Sequence, residues 1–229
     1  MKEPDALLAL FADYNPAIWP MQVVSFVAAI GALALIARRP SRTTDRVVTA
    51  LLAGSWLFIG VVFQGIYVRE IDATLSLIYA AVFIAEAGLL VALGVVGDRI
   101  SFRFERTPAV ILGCLAIAYS LVVYPLLGIA FGHPYPEAPL FGAAPCPTTI
   151  STFGLFLLAR PPFPKSLLAV PLFWAVVATP AAVGRGVFED VALLGFGVLA
   201  TALFAWRDRS SHHVGHALVP ATAGKAGFQ

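Results

Sequence analysis

Seven long apolar segments set what this chain can become. They run from Ala17 to Ala37, Val47 to Tyr67, Thr74 to Val96, Pro108 to Ala130, Pro139 to Ala159, Leu167 to Val183 and Val187 to Trp206. Most supply about 20 residues, which as helix spans the roughly 30 Å hydrocarbon core of a bilayer. Hydrophobic residues make up 59% of the 229 and charged residues 12%. A soluble domain carries roughly half and a quarter, so the balance excludes a water-soluble enzyme, a disordered chain and a nucleic-acid binder. The lipid bilayer is the expected partner.

The basic residues test the number of spans. Taking the flanks alternately, one side holds Lys2, Arg69 and Arg185. The other holds Arg38, Arg39, Arg42, Arg46, Arg99, Arg103, Arg106, Arg160, Lys165, Arg207, Arg209 and Lys225. A missed or invented span would scramble this segregation. The positive-inside rule places the N-terminus outside and the C-terminus in the cytoplasm. The expected fold is an all-α polytopic transmembrane bundle of seven helices. It forms one domain over residues 1–209, with a flexible cytoplasmic tail over 210–229. Met1-Lys2-Glu3-Pro4-Asp5 lacks the basic run of a signal peptide, so the first span is expected to be retained.

Local signals fill in the ends. Asn15-Pro16 reads as the cap and first position of the first span. Ala6 to Phe11 reads as a short interfacial helix outside. Trp19 and Trp206 fall near opposite interfaces. Glu189 and Asp190 open the last span, where carboxylates suit the positive end of the helix dipole.

Cofactor chemistry is narrowed by what the spans lack. A retinal Schiff base needs a lysine inside the last helix, and the only lysines are Lys2, Lys165 and Lys225. A transmembrane b-type haem usually needs paired axial histidines. His133, His212, His213 and His216 all lie in a loop or the tail. Cys114 and Cys146 make neither a disulfide scaffold nor a thiolate metal cluster. No cofactor and no metal site is expected.

Two features carry candidate chemistry. Glu86 is the one acid deep in an apolar segment, about 18 Å from the outer end of its helix. A carboxyl at that depth is a functional candidate by default, and with no intramembrane base beside it is expected to be neutral. Asp72, Tyr79 and Glu86 repeat every seven residues and share a face. The second feature is Gly142-Ala-Ala-Pro-Cys-Pro-Thr-Thr-Ile-Ser-Thr152. Its prolines cannot continue a helix from above, so the fifth helix is expected to be broken at Pro-Cys-Pro and to run from Pro147 to Ala159. Such a helix would start inside the membrane, with Cys146 at its N-terminus and Thr148, Thr149 and Thr152 just below. Broken helices of this kind mark binding sites in several transporters. Gln64, on a face with Trp56, Gly60 and Tyr67, adds a further polar group, and His133 in the outer loop a candidate proton or metal ligand.

Gly132-His-Pro-Tyr-Pro136, Pro145-Cys-Pro-Thr-Thr-Ile-Ser-Thr-Phe-Gly154 and Tyr14-Asn-Pro-Ala-Ile-Trp-Pro20 resemble one family. It is the bacterial integral membrane family catalogued as domain of unknown function 6064. The resemblance runs from Tyr14 through the seventh segment and leaves out the tail. It implies a bacterial inner-membrane location and assigns no activity. The expectation is a small permease-like or channel-like protein for a small solute or ion, and at this length a homodimer. The site would involve Glu86, Tyr79, Asp72, Cys146, Thr148, Thr149, Thr152, Gln64 and His133. The alternatives are a membrane enzyme or redox component using Cys146, and a structural or sensory subunit. No catalytic residue is named.

Overall fold

Six helices carry the chain back and forth through one bundle, each long and apolar enough to cross a membrane. The computed structural model describes residues 6–217, with side chains up to residue 207. A short helix, α1 (Ala6–Ala17), comes first. The long helices are α2 (Met21–Arg38), α3 (Arg42–Glu70), α4 (Ala73–Val96), α5 (Pro108–Ala130) and α7 (Lys165–Arg185). The last, α8, has a membrane-length part at Phe188–Arg207, and its helical turns continue to Ala217. Between α5 and α7 sits α6 (Pro145–Leu157), of only 13 residues. The first turns of the expected tail are thus helical. Residues 218–229 lie outside the described residues, as do Lys2 and the side chains of His212, His213 and His216.

The fifth expected span is not continuous, as its prolines foretold. Residues 139–144 are irregular, Gly142 has φ +77°, and helix begins at Pro145 rather than Pro147. The two-residue shift has a simple cause. Proline is well suited to the first helical position, and Pro147 still lies in the first turn, where no intrahelical amide is required. Ala144 supplies the extended N-cap at φ −113°, ψ 146°. Other caps follow sequence rules. The Ser41, Asp72 and Thr107 side chains accept amides at the starts of α3, α4 and α5.

The Asn15-Pro16 expectation is corrected. Helix α1 runs through both residues to Ala17, and α2 begins only at Met21. Packing decides this. Phe11 stacks on Phe63 of α3 with centroids 5.1 Å apart, and Tyr14 meets Phe63 and Tyr67 edge to face. The expected interfacial helix is therefore longer and docked on the bundle.

One end of the bundle gathers the arginines. Arg46 makes two 2.7 Å bonds to Asp98, and Asp45 pairs with Arg103 at 3.1 Å. Arg160 pairs with Glu105, Phe102 bridges to Ala159, and Arg207 donates to the Ala159 carbonyl. The connections after α2, α4 and α6 and the end of α8 therefore share one side. Asp98 sits at φ 51°, and its hydrogen bond from Arg46 holds its carboxyl below the usual aspartate range.

Helix α6 is the buried pillar. Every residue of it except Cys146 is buried. Its closest neighbour is α5, and small residues allow the approach. A Cβ on Gly154 would stand 2.7 Å from the Gly113 carbonyl and 2.6 Å from Ile117. The opposite character marks the perimeter, where Val27, Leu126 and Val198 are each about 60% exposed and face outward.

Two predictions follow from this packing. Gly154→Leu is expected to abolish a monodisperse peak in detergent size-exclusion chromatography. Gly88→Leu, where a side chain meets nothing within 4 Å, is expected to leave the peak intact. Asp98→Asn keeps the left-handed backbone, which asparagine tolerates, and removes the charge. Because the folded pKa is depressed, the ion pair's contribution is present above the unfolded value of about 3.9 and is lost as pH falls through the lower folded value. The thermal midpoint of the wild type is expected to exceed that of Asp98→Asn at neutral pH, with the gap closing only in more acid solution.

Candidate functional site

The segment from Phe131 to Ala144 cannot be helical, because Pro134, Pro136 and Pro139 interrupt it and Gly132 and Gly142 turn it back. Its backbone groups still need partners, and side chains supply them. Asn15 donates to the carbonyls of Pro136 (2.6 Å) and Ala138 (2.8 Å). The Tyr14 hydroxyl donates to Ala143 at 2.9 Å, and burial pushes that hydroxyl up in pKa, keeping it a donor. Thr148 Oγ1 accepts the Gly142 amide at 2.8 Å and donates to the Ala144 carbonyl at 2.7 Å. Ser120 donates to Pro147 at 2.5 Å.

Beside this structure, at the end opposite the arginine cluster, lies a cavity of about 350 Å³. Its polar lining comes from Gln64 of α3, Asp72 and Tyr79 at α4, Cys146 at the second position of α6, Trp174 and Arg185 of α7, and Asp190 at the start of α8. Helix α1 adds Leu7 and Phe11. Tyr79 and Trp174 meet edge to face, 5.3 Å apart. Gln64 is 2% exposed, and its Oε1 has no hydrogen-bond partner. Asp190 is buried and accepts from the Tyr124 hydroxyl at 2.5 Å. A larger groove of about 530 Å³, between α2 and α3, is lined by apolar groups with only Ser25, Ser55 and Ser151 as polar exceptions.

One family model matches residues 5–214, a stretch that takes in the Pro-Cys-Pro helix start, the proline-rich loop before it and the apolar helices. The chain belongs to the DUF6064 family of unknown function. The match begins before Tyr14 and so takes in α1. No curated protein matches the chain, and no solved structure does.

In this DUF6064 member the nine candidate residues divide. Gln64, Asp72, Tyr79 and Cys146 meet at the cavity. Thr148, Thr149 and Thr152 are fully buried and do not line it. Each hydroxyl bonds back to the carbonyl four residues earlier, and Thr152 also accepts from the Trp56 indole at 3.1 Å. Glu86 is fully buried deeper in α4, outside the cavity lining, and neither carboxyl oxygen has a hydrogen-bond partner. His133 is buried in the loop between α5 and α6, with Nδ1 3.7 Å from Glu189 Oε1. Among the described residues no three His, Cys, Asp or Glu side chains form a group able to hold a metal.

Asp190, Trp174 and Arg185 complete the wall and were missed in the sequence. Glu189 and Asp190 do open α8, as a dipole pair would, yet both are buried. No local signal marks this, because the groups that cover the two acids, Tyr124 of α5 and His133 of the preceding loop, come from distant parts of the chain.

The hydroxyl bonds give a paired prediction. Thr148→Val leaves the buried Gly142 amide unpaired and is expected to cost about 1–3 kcal/mol. Thr149→Val removes only a back-bond to a carbonyl that the helix already satisfies, so its cost should stay under about 1 kcal/mol. Thermal midpoints of the two purified variants give the comparison.

Proposed function

We propose that this DUF6064 protein is a multi-pass inner-membrane protein whose cavity binds a small solute from the outer side, as part of a permease-like or channel-like activity. The orientation rests on charge. The end carrying the arginine cluster is assigned to the cytoplasm by the positive-inside rule, which puts α1 and the cavity outside. The apolar perimeter supports the bilayer setting, because such surface is stable against lipid and costly against water.

The observation that carries the reading is the cavity itself. Six helices converge on it, and it is mostly apolar with a few placed polar groups, which is the usual character of a small-molecule site. The buried start of α6 beside it supports a binding role, since irregular backbone within a membrane protein persists where it is enclosed or lines a cavity. The seven-helix description follows if α6 and the irregular chain before it count together as one membrane-embedded element.

Labelling in intact cells tests the reading. In a Cys114→Ala background, Cys146 is expected to react with a small membrane-impermeant thiol reagent and to resist a bulky polymer maleimide. Reaction with both would make the segment an exposed turn. Reaction with neither would remove the outward-facing cavity.

A further inference from the structure

We infer that the cavity takes a small organic cation, a protonated or quaternary amine, seated between the Asp190 carboxylate and the aromatic wall of Tyr79 and Trp174. The inference rests on the proposal that the cavity is a solute site and names the chemistry of the solute.

Asp190 enters the cavity from the first turn of α8. Its side chain lines the cavity while the residue is only 4% exposed. The groups near its carboxylate are the Tyr124 hydroxyl, which donates to it, the neutral Cys146 thiol and the acidic Glu189. A neutral donor orients a carboxylate but does not offset its charge. A buried carboxylate calls for a positive partner, and the open side of Asp190 is the cavity.

The other walls suit the same ligand. Tyr79 and Trp174 on one side, and Phe11 stacked on Phe63 on another, present aromatic surface to the space. Aromatic faces attract cations, most strongly where water is displaced, and they favour weakly hydrated organic ammonium groups. The Gln64 amide carries a buried oxygen with no partner in the protein, able to accept from an ammonium N–H. Asp72 stands at the outer end of α4 as its N-cap and adds negative charge to the cavity lining. Among the described residues Arg185 is the one cation in the lining, and it is itself engaged in a contact. An anionic solute would meet two carboxylates here, and a neutral one would leave Asp190 uncompensated. The volume of about 350 Å³ admits a small amine and excludes a large cofactor.

The test uses purified full-length Cys114→Ala protein in detergent micelles and follows the rate at which Cys146 reacts with N-ethylmaleimide. Tetramethylammonium and ethylammonium chlorides are compared with sodium chloride at equal ionic strength and with tert-butanol, an uncharged molecule of similar shape. The organic cations are expected to slow the reaction about tenfold at saturation, and sodium and tert-butanol to leave it unchanged. Asp190→Asn is expected to raise the concentration needed for protection by at least about tenfold. Should that variant fail to fold, the comparison of probes on the parent protein decides alone. Equal protection by tert-butanol, or protection by no probe, overturns the cation while leaving the solute cavity standing. Undiminished protection in a folded Asp190→Asn protein overturns it too. A Cys146 that does not react at all removes the accessible cavity and the inference with it.

Discussion

The structure depends on how a stretch of backbone that cannot be helical is kept satisfied inside an apolar bundle. Between Phe131 and Pro147, prolines remove amides and glycines reverse the chain, so short turns such as those from the Ala143 and Ala144 amides to the Leu140 carbonyl pair only some of the local polar groups. In lipid each unmet group costs several kcal/mol. Tyr14 and Asn15 reach in from α1, Ser120 from α5, and Thr148 from α6 itself to meet them. Helix α6 can begin in the interior because those four side chains are there.

Much else follows from that arrangement. A short helix with a buried start must be surrounded, and α6 is enclosed by α5, α7 and α8, with the Gly113–Gly154 approach fixing the tightest contact. Since α6 stops short of the end opposite the arginine cluster, the space beside its first turn is closed by other elements. Helix α1 folds over it, the ends of α3, α4 and α7 stand around it, and Asp190 enters from α8. Docking α1 through Tyr14 and Asn15 thus serves two purposes, satisfying the irregular chain and walling the cavity. The polar asymmetry of the molecule matches this. Guanidinium groups tie the connections together at one end, while carboxylates, tyrosines and a thiol gather at the other.

The main architecture was legible because it rests on long-range statistics of residue type. Apolar segment length marked the six long helices, and proline position marked the break before α6, with helix expected over Pro147 to Ala159 and found over Pro145–Leu157. Four of the nine candidate residues reached the cavity. What stayed hidden depends on tertiary contacts. Nothing local to Asn15-Pro16 distinguishes a helix start from a helix end whose asparagine is held by a loop 120 residues away. The threonines of α6 look like ligands in sequence, yet their hydroxyls are consumed by carbonyls of the preceding turn. Glu189 and Asp190 look like solvent-facing dipole partners until the end of α5 and the outer loop cover them. The π-helical turns at Ile59–Tyr67, Val91–Val96 and Tyr119–Val123 also shift each helix's register, so a regular 3.6-residue projection misplaces the groups beyond them.

The central claim is that α6 is a buried pillar whose start is held from within. Amide hydrogen exchange of the full-length protein in lipid nanodiscs tests this most directly. Amides from Ile150 to Leu157 should be among the slowest in the chain, and the Gly142 to Ala144 amides should exchange slowly despite their irregular conformation. Exchange of residues 142–157 as fast as that of the surface turn at residues 131–137 would contradict the account.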